Sequence, residues 1–510
     1  MTGRQDRLND YLAHSLLTLL LLACGCAGKN GFDPPPPTPS PLASGNTNLI
    51  FVVSEDLNNN EKADINPATA NLTSQGLQRT LMLGSYLQQT VLGNQNVTGI
   101  YALEPMTHLQ TANNYPDMVA LETVQQLAML NLVTLDESPA GPVLYTGNGF
   151  PINASYAQGQ VVQGVAAPIY PCASCQGIDF TDQNNDNESL IETVIAYGVP
   201  GYFVFSAPWE TTMGLLSAAN TARGYGLSLP SSYQGPNYIY AIAITPSGSA
   251  SLTTYNSNLT PRSTYPVLPS PTLVSAACLL PEFNISAPSS GPPVTNTNET
   301  LYLMRHAEAH PVPAWEDGNY VAAGQWRALD LPSALRSKIS PDQVYSIDPA
   351  QTDQSGDLAW SYVRPSLTVE PYAIVNNLPY RVVSDFELND ATTVTANTIN
   401  FFFNSPQFSN HKVLLAGEHK HFAPLVNALL KSYGSSQIVP DWSGDDYDSI
   451  WTVTIDGSGN LTANNNLCEG IDSDALPATA PQFLPPPATR SSSTARRRNS
   501  NDTTITSHIS

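Results

Sequence analysis

The 510-residue sequence predicts an α/β protein built from two consecutive α/β units. Short apolar segments typical of buried strands alternate with amphipathic segments typical of helices, such as QGLQRTLMLGSYLQQTV at 75–91. Several segments of the first half also recur in the same order in the second half. The length suits two or three domains, and a hydrophobic fraction of 41% is enough to form packed cores.

Two motifs in the second half carry residues suited to chemistry. Residues 301–308 read LYLMRHAE and residues 412–422 read KVLLAGEHKHF, so Arg305-His306 and His419 each follow an apolar, strand-like run. Open α/β sheets bind ligands at the carboxyl ends of their strands. An imidazole beside a guanidinium suits phosphoryl chemistry, because arginine presents a planar fork that matches phosphate oxygens.

The two motifs, with Arg305-His306 first and His419 later, resemble those of the histidine phosphatase (phosphoglycerate-mutase-like) superfamily. The resemblance extends over about residues 299–470. Arg364, after the second strand VYSIDP, matches the second arginine of that family. The resemblance implies a three-layer α/β/α domain in which His306 is the nucleophile and forms a phosphohistidine. It implies that Arg305, Arg364 and His419 hold the phosphate oxygens, and that no metal or other cofactor is needed.

The general acid is the least defined part of the predicted site. A glutamate often follows the third strand in this family, and PYRVVSDFELND offers Glu387, with Asp385 and Asp390 close by. Glu387 is the first choice. Glu308 and Glu418 are further carboxylates near the histidines, and the charge of Glu418 is also expected to favour a helix N-terminus.

The first half repeats the second without its cations and imidazoles. NLIFVVSEDL at 48–57 matches TLYLMRHAEA at 300–309 and IYALEP matches VYSIDP, which predicts two tandem phosphoglycerate-mutase-like α/β/α domains. The paired positions, first copy before second, are Ser54 and Glu55 with Arg305 and His306, Gly76 with Gly324, Arg79 with Arg327, Asp117 with Arg364, and Trp209 with His419. New carboxylates would repel phosphate, so the first copy is predicted to be degenerate and non-catalytic.

The chain ends predict export and a lipid anchor. Basic residues precede the apolar run SLLTLLLLA, which is too short for a membrane span but right for a signal peptide, and LLAC resembles a bacterial lipobox with Cys24 as the lipidated residue. An ordinary signal peptide with an incidental Cys24 is the alternative. The predicted boundaries are a signal peptide at 1–24, a Pro-rich tether at 25–47, the degenerate domain at 48–262, a linker at 263–298, the catalytic domain at 299–470 and a disordered tail at 471–510.

The remaining cysteines suggest two disulfides. In an oxidising compartment, Cys278 and Cys468 would link the two ends of the second domain, although two unrelated thiols are the alternative. Cys172 and Cys175 form a single CxxC pair, a spacing found at redox and metal sites. With no second pair to complete a zinc set, a local disulfide is the preferred interpretation.

Charge and composition limit the partners. A formal net charge of −22 argues against nucleic acid, which requires a basic surface. The expected partners are a small phosphorylated substrate and, through the lipid anchor, the membrane of a bacterial cell envelope, on its periplasmic side or at the surface. Two functions compete: an exported phosphomonoester phosphatase, and a non-catalytic scaffold or binding lipoprotein. Ala307, where the family has glycine, and the undefined acid favour the scaffold.

Overall fold

Two mixed β-sheets organise the chain in the computed structural model. The structure describes residues 39–59, 64–136, 144–154, 177–182, 185–269, 283–288, 291, 293–310, 317–355, 358–383 and 391–484. The described residues from Ser40 onward belong to one compact unit. Among the described residues, no helix has the length and apolar character needed to cross a membrane.

The strands and helices alternate along much of the chain, which confirms the predicted α/β class. The strands are β1 (Thr47–Val53), β2 (Ile65–Asn66), β3 (Asn71–Leu72), β4 (Gly99–Ala102), β5 (Leu132–Asp136), β6 (Leu144–Asn148), β7 (Gly201–Ala207), β8 (Tyr238–Ile244), β9 (Ala250–Asn256), β10 (Asn284–Ala287), β11 (Glu299–Arg305), β12 (Gln343–Ile347), β13 (Thr352–Ser355), β14 (Leu358–Ser361), β15 (Tyr380–Val383), β16 (Lys412–Gly417), β17 (Ser449–Ile455) and β18 (Leu461–Cys468). The helices are α1 (Ser74–Tyr86), α2 (Val119–Leu130), α3 (Asp186–Tyr197), α4 (Trp209–Thr221), α5 (Ala322–Leu335), α6 (Arg364–Asn376), α7 (Ala391–Phe403) and α8 (His419–Ser432).

The two sheets share a strand order. The first sheet runs β4-β7-β1-β8-β9, and the second runs β10-β18-β17-β11-β16-β12-β15. In the first sheet, β1 pairs in parallel with β7 and antiparallel with β8. In the second sheet, β11 pairs in the same way with β16 and β17. Thus β4, β7, β1, β8 and β9 correspond in order to β12, β16, β11, β17 and β18.

Helices cover both faces of each sheet. Helices α1 and α2 of the first half and α5 and α6 of the second contribute to one shared core, which contains, for example, Leu127 and Leu367. The opposite face of the first sheet packs on α3 and α4, and that of the second on α7 and α8. Amide pairs also join the two halves, including the side chain of Gln325, which donates to Gln126 Oε1 at 2.8 Å. Burial on both faces explains the continuous apolar runs 49–53 in β1 and 301–304 in β11.

The strand register agrees with the match of residues 48–57 to 300–309 and corrects the predicted pairing of Ser54 and Glu55 by one residue. Val53 pairs with Ala207 as Arg305 pairs with Gly417. The N–H of Ser54 donates to Ala207 O at 3.0 Å, just as the N–H of His306 donates to Gly417 O at 3.0 Å. Val53 and Ser54, rather than Ser54 and Glu55, therefore stand where Arg305 and His306 stand.

Two predicted irregular segments contain ordered structure. The linker at 263–298 contributes β10, which extends the second sheet by pairing with β18. The predicted disordered tail begins with residues that pack on the fold, since Phe483 is 9% exposed and the indole of Trp326 donates to Thr479 O at 2.8 Å. These predictions were wrong because an apolar or aromatic side chain within a Pro-rich segment can still be buried by a neighbouring element.

Several predicted features lie outside the described residues. These are the signal peptide with Cys24, the tether up to residue 38, the tail from 485 onward, Glu387, and the cysteines Cys172, Cys175 and Cys278. Cys468 is disulfide-bonded. Its pairing with Cys278 stays a prediction.

Candidate active site

Two parallel strands bring the predicted site residues to one edge of the second sheet. Strands β11 and β16 are neighbours, and Arg305 at the end of one lies opposite Gly417 at the end of the other. Both strands have an apolar central run, and both are buried on the inside of the sheet. The polar residues that follow them, His306 and Glu418, consequently emerge side by side at the carboxyl edge.

His306 is almost completely buried, with 1% of its surface exposed. Its Nδ1 lies 2.7 Å from the carbonyl oxygen of Ala307, and its Nε2 lies 3.1 Å from Oε2 of Glu418. Burial, and next the positive charge of Arg364, lower the pKa of His306 to about 4, although the hydrogen bond with Glu418 opposes this shift. The imidazole is therefore neutral at neutral pH and has one N–H for two acceptors.

Two buried arginines lie near this imidazole, with exposures of 5% for Arg305 and 2% for Arg364. Arg305 donates through Nη1 to the carbonyl oxygens of Gly444 and Asp446, and its guanidinium carbon lies 3.8 Å from the ring centre of Tyr447. Both arginines are close enough to lower the pKa of His306. Two cations close to a neutral imidazole suit an anionic ligand.

Arg364 is positioned by the start of helix α6. Its backbone N–H donates to Gly318 O at 3.1 Å, and its guanidinium carbon lies 4.6 Å from the ring centre of Tyr362. One turn later, Thr368 Oγ1 accepts the N–H of Ala307 at 2.9 Å and donates to Arg364 O at 2.7 Å. This side chain thus ties the start of the helix to the backbone directly after His306.

Glu418 is the residue whose role the sequence did not predict. Its Oε2 accepts the hydroxyl of Tyr362 at 2.6 Å and lies 3.1 Å from His306 Nε2, and its Oε1 contacts His419 Nδ1. Although it precedes helix α8, its side chain makes no capping hydrogen bond. Burial alone would raise the pKa of Glu418, but hydrogen bonds with His306 and His419 hold it well below its ordinary value.

The structure gathers four of the five predicted catalytic residues. Arg305, His306 and Arg364 converge, and His419 joins them through Glu418 with 13% of its side chain exposed. The fifth, Glu387, lies outside the described residues. The aromatic neighbours Tyr362 and Tyr447 were missed, and only the position of Tyr362, two residues before Arg364, could have indicated it. Among the described residues, no group of three or more His, Cys, Asp or Glu side chains is arranged to hold a metal ion.

His310 is also buried. The residue is 5% exposed, and its Nε2 lies 2.9 Å from Oδ2 of Asp317, also buried. Burial raises the pKa of Asp317. A buried imidazole needs a polar partner, and Asp317 provides one.

The corresponding edge of the first sheet has different chemistry. Ser54, in the position of His306, is 2% exposed. His108, which the sequence did not single out, lies 3.1 Å from Asp56 and 3.8 Å from Asp117. Burial opposes its charging, but the hydrogen bond with Asp56 raises the pKa of His108. This edge pairs an imidazole with carboxylates instead of with arginines.

No protein-family model and no curated protein sequence matches this chain. Solved structures that are similar to part of it are histidine phosphatase and phosphoglycerate-mutase-like proteins. A protein histidine phosphatase, SixA, solved with tungstate, shares 21% identity, covering 33% of this chain and 97% of that chain with a TM-score of 0.23. A mycobacterial glucosyl-3-phosphoglycerate phosphatase shares 14% identity, covering 34% of this chain and 100% of that chain with a TM-score of 0.24.

A Plasmodium falciparum phosphoglycerate mutase is also similar, with 12% identity, 35% of this chain and 94% of that chain covered, and a TM-score of 0.21. These likenesses span about a third of the chain. With TM-scores this low, support for a function has to come from the geometry of the site itself.

Proposed function

We propose that this chain is a phosphatase that hydrolyses phosphomonoesters through a phosphohistidine on His306. The observation that carries the proposal is a buried imidazole with a depressed pKa at a strand end, with the buried Arg305 and Arg364 close enough to act on it. Such a ring keeps a lone pair at neutral pH, and the two guanidinium groups offset the charge of a phosphate dianion.

The reaction has two displacements. The Nε2 lone pair of His306 attacks phosphorus and forms an N–P bond, while the P–O bond to the leaving group breaks and the leaving oxygen takes a proton. Water then attacks phosphorus, the N–P bond breaks, and inorganic phosphate leaves with the ring neutral again. Arg305 and Arg364 stabilise the charge on the transferring group in both steps. Glu387 stays the first choice for the acid that protonates the leaving oxygen.

The wider setting of this activity is also part of the proposal. The chain consists of two tandem α/β/α domains of which the first is non-catalytic, and the matching strand orders and Ser54 in the place of His306 support this. The protein is exported and lipid-anchored through Cys24 in a bacterial envelope, as the apolar run and LLAC support. Its substrate is a small phosphorylated molecule.

The test is hydrolysis of a chromogenic phosphomonoester from acid to mildly alkaline pH, by the wild type and by His306→Ala. We expect the variant to lose activity and to lose the acid-labile phosphate that rapid quenching traps on the wild type. His411→Ala is the matched control, because His411 is an exposed histidine that pairs only with Asp342 among its described ion-pair partners. Equal activity of wild type and His306→Ala would refute the mechanism.

One observation favours the second candidate, a non-catalytic binding or scaffold lipoprotein. The Glu418 carboxylate lies 3.1 Å from the Nε2 that has to attack phosphorus. A folded protein that hydrolyses no phosphomonoester and traps no phosphate on His306 would support this scaffold function.

A further inference from the structure

The Glu418 carboxylate stands where the proposed reaction places phosphorus. Reacting atoms in a productive complex lie about 3–3.5 Å apart, and Glu418 Oε2 is 3.1 Å from His306 Nε2. An acid that protonates the leaving oxygen has to lie farther away, because that oxygen is on the opposite side of phosphorus from the nucleophile. In the observed position, Glu418 therefore blocks the nucleophile and is not its general acid.

The carboxylate is held by donors that suit phosphate oxygens. The hydroxyl of Tyr362 donates to Oε2 at 2.6 Å and His419 contacts Oε1. Only 7% of Glu418 is exposed, so little water competes for these contacts. Among the described residues, the charged and titratable groups around the site include Arg305 and His306 from the end of β11, Tyr362 just before α6 and Arg364 at its start, His419 on α8, Asp446 and Tyr447 from the loop before β17, and Asp317, on which Arg364 acts.

Glu418 also bears on which nitrogen of His306 holds the proton. The neutral ring has one N–H, and its two nitrogens face Glu418 Oε2 and Ala307 O. While the carboxylate is in place, the single N–H can be donated to only one of these two oxygens, and a proton held on Nε2 toward Glu418 would leave the lone pair on Nδ1. Once the carboxylate leaves, the proton is free to reside on Nδ1 and to be donated to Ala307 O over 2.7 Å. Nε2 then has the lone pair that attack on phosphorus requires.

We infer that the Glu418 carboxylate is a built-in occupant of the phosphoryl position, and that a substrate reaches His306 only by displacing it. The inference rests on the proposed function and makes Glu418 its specificity-determining residue. Free phosphate and small phosphomonoesters have to displace the carboxylate with their phosphate contacts alone. A substrate with a larger organic part adds contacts outside the pocket, so the site selects phosphomonoesters that are bulky beyond the phosphate.

The test compares wild type with Glu418→Gln, which keeps the shape of the side chain and removes its charge. We expect inorganic phosphate, measured by titration calorimetry at neutral pH, to bind the variant roughly tenfold or more tightly, because a buried like charge is removed. For a small chromogenic phosphomonoester, KM is expected to fall by a similar factor, with a smaller change in kcat. Asp445→Asn is the control, since it removes an exposed carboxylate from the same loop as Gly444 without touching the pocket.

Glu418→Ala provides a second variant should the amide disturb folding, and both are checked by circular dichroism. Phosphate binding no tighter in either folded variant would overturn the inference, and so would a lower kcat with unchanged KM. If the variants still trap phosphate on His306 in that case, the proposed phosphatase function stands without the inference. If they bind phosphate more tightly but never phosphorylate His306, the proposed function fails and Glu418 remains the occupant of an anion site.

Discussion

Replacing Arg327 with methionine tests the electrostatics that support the site. Arg327 is fully buried and donates to Glu308 Oε1 at 2.9 and 2.7 Å and to Glu469 Oε2 at 2.5 Å, and also to Ile471 O and Ser473 Oγ. Arg327 thereby links helix α5 to the segment that follows His306 and to the segment that follows β18.

The structure gives the size of the effect. At 2.7 Å, a unit charge pair attracts by about 6 kcal/mol with an effective dielectric constant near 20. Desolvation of both charges offsets part of this gain. Removing only the cation leaves the Glu308 carboxylate buried without its partner, and such a change costs about 3–5 kcal/mol of unfolding free energy.

The cost has a predictable dependence on pH. Burial alone would raise the pKa of Glu308, but Arg327 lowers it below its ordinary value of 4.5, so in the wild type this group adds stability that is lost as pH falls through its folded pKa. In Arg327→Met the pKa of Glu308 rises instead, and stability is lost as pH rises above 4.5. The destabilisation should therefore be near 3–5 kcal/mol at pH 8 and about 1–3 kcal/mol at pH 5, where the carboxyl is largely protonated.

Urea unfolding of the wild type and Arg327→Met at pH 5 and pH 8 measures both values. The double variant Arg327→Met/Glu308→Gln is expected to recover most of the loss at pH 8, since the uncharged amide needs no counter-ion. Arg79→Met is the matched control in the first half, where the arginine side chain is 13% exposed and the loss should be smaller. An equal loss at both pH values, or a larger one at pH 5, would refute this account of the cluster.

Two further predictions concern a glycine and a disulfide. Gly318 has φ +75, and a Cβ there would overlap the carbonyl oxygen of Ser361. Gly248 has a similar φ of +84, but its surroundings are open. Gly318→Ala is therefore expected to lower the unfolding free energy by about 1–3 kcal/mol more than Gly248→Ala. Because Gly318 O accepts the Arg364 N–H, the proposed phosphatase activity should fall in Gly318→Ala and not in Gly248→Ala. Thermal melts measure the stability of the two variants and initial rates measure their activity. Equal losses of stability in the two variants would contradict the steric argument. Cys468 is disulfide-bonded, so Cys468→Ser should cost about 2–5 kcal/mol of unfolding free energy. Mass spectrometry of a non-reduced digest should identify Cys278 as its partner, and a different partner would show the predicted pairing to be wrong.

Local sequence patterns predicted the sheets well. Strands β1, β11 and β16 each contain a run of apolar residues between polar ones. Such runs are typical of strands that are covered by helices on both faces of a sheet. Arg305 and His306 could be located for the same reason, because a polar pair directly after a buried strand has to emerge at the carboxyl edge of the sheet. The internal repeat was visible because both halves preserve this apolar patterning.

The errors came where position depends on more than local pattern. The predicted pairing of Ser54 and Glu55 with Arg305 and His306 was one residue away from the match of 48–57 to 300–309, and the hydrogen bond from Ser54 N–H to Ala207 O shows the correct register. The tail was predicted to be disordered because of its Pro and Ser content, but Phe483 is buried against the folded part of the chain. The sequence also left undecided which side chain contacts His306, because Glu418 and His419 are adjacent and both follow strand β16.

By itself, the sequence determined the α/β class and the apolar strands, and it predicted which imidazole and which two arginines form the site. These follow from hydrophobic periodicity and from the residue types that follow buried strands. Only the tertiary structure decided that Glu418, not His419, contacts His306, and that the imidazole is held neutral by burial and by Arg364. The physical reason is that a side chain's direction and its pKa depend on neighbours that are distant in the chain, and only the packed fold brings those neighbours within a few ångströms.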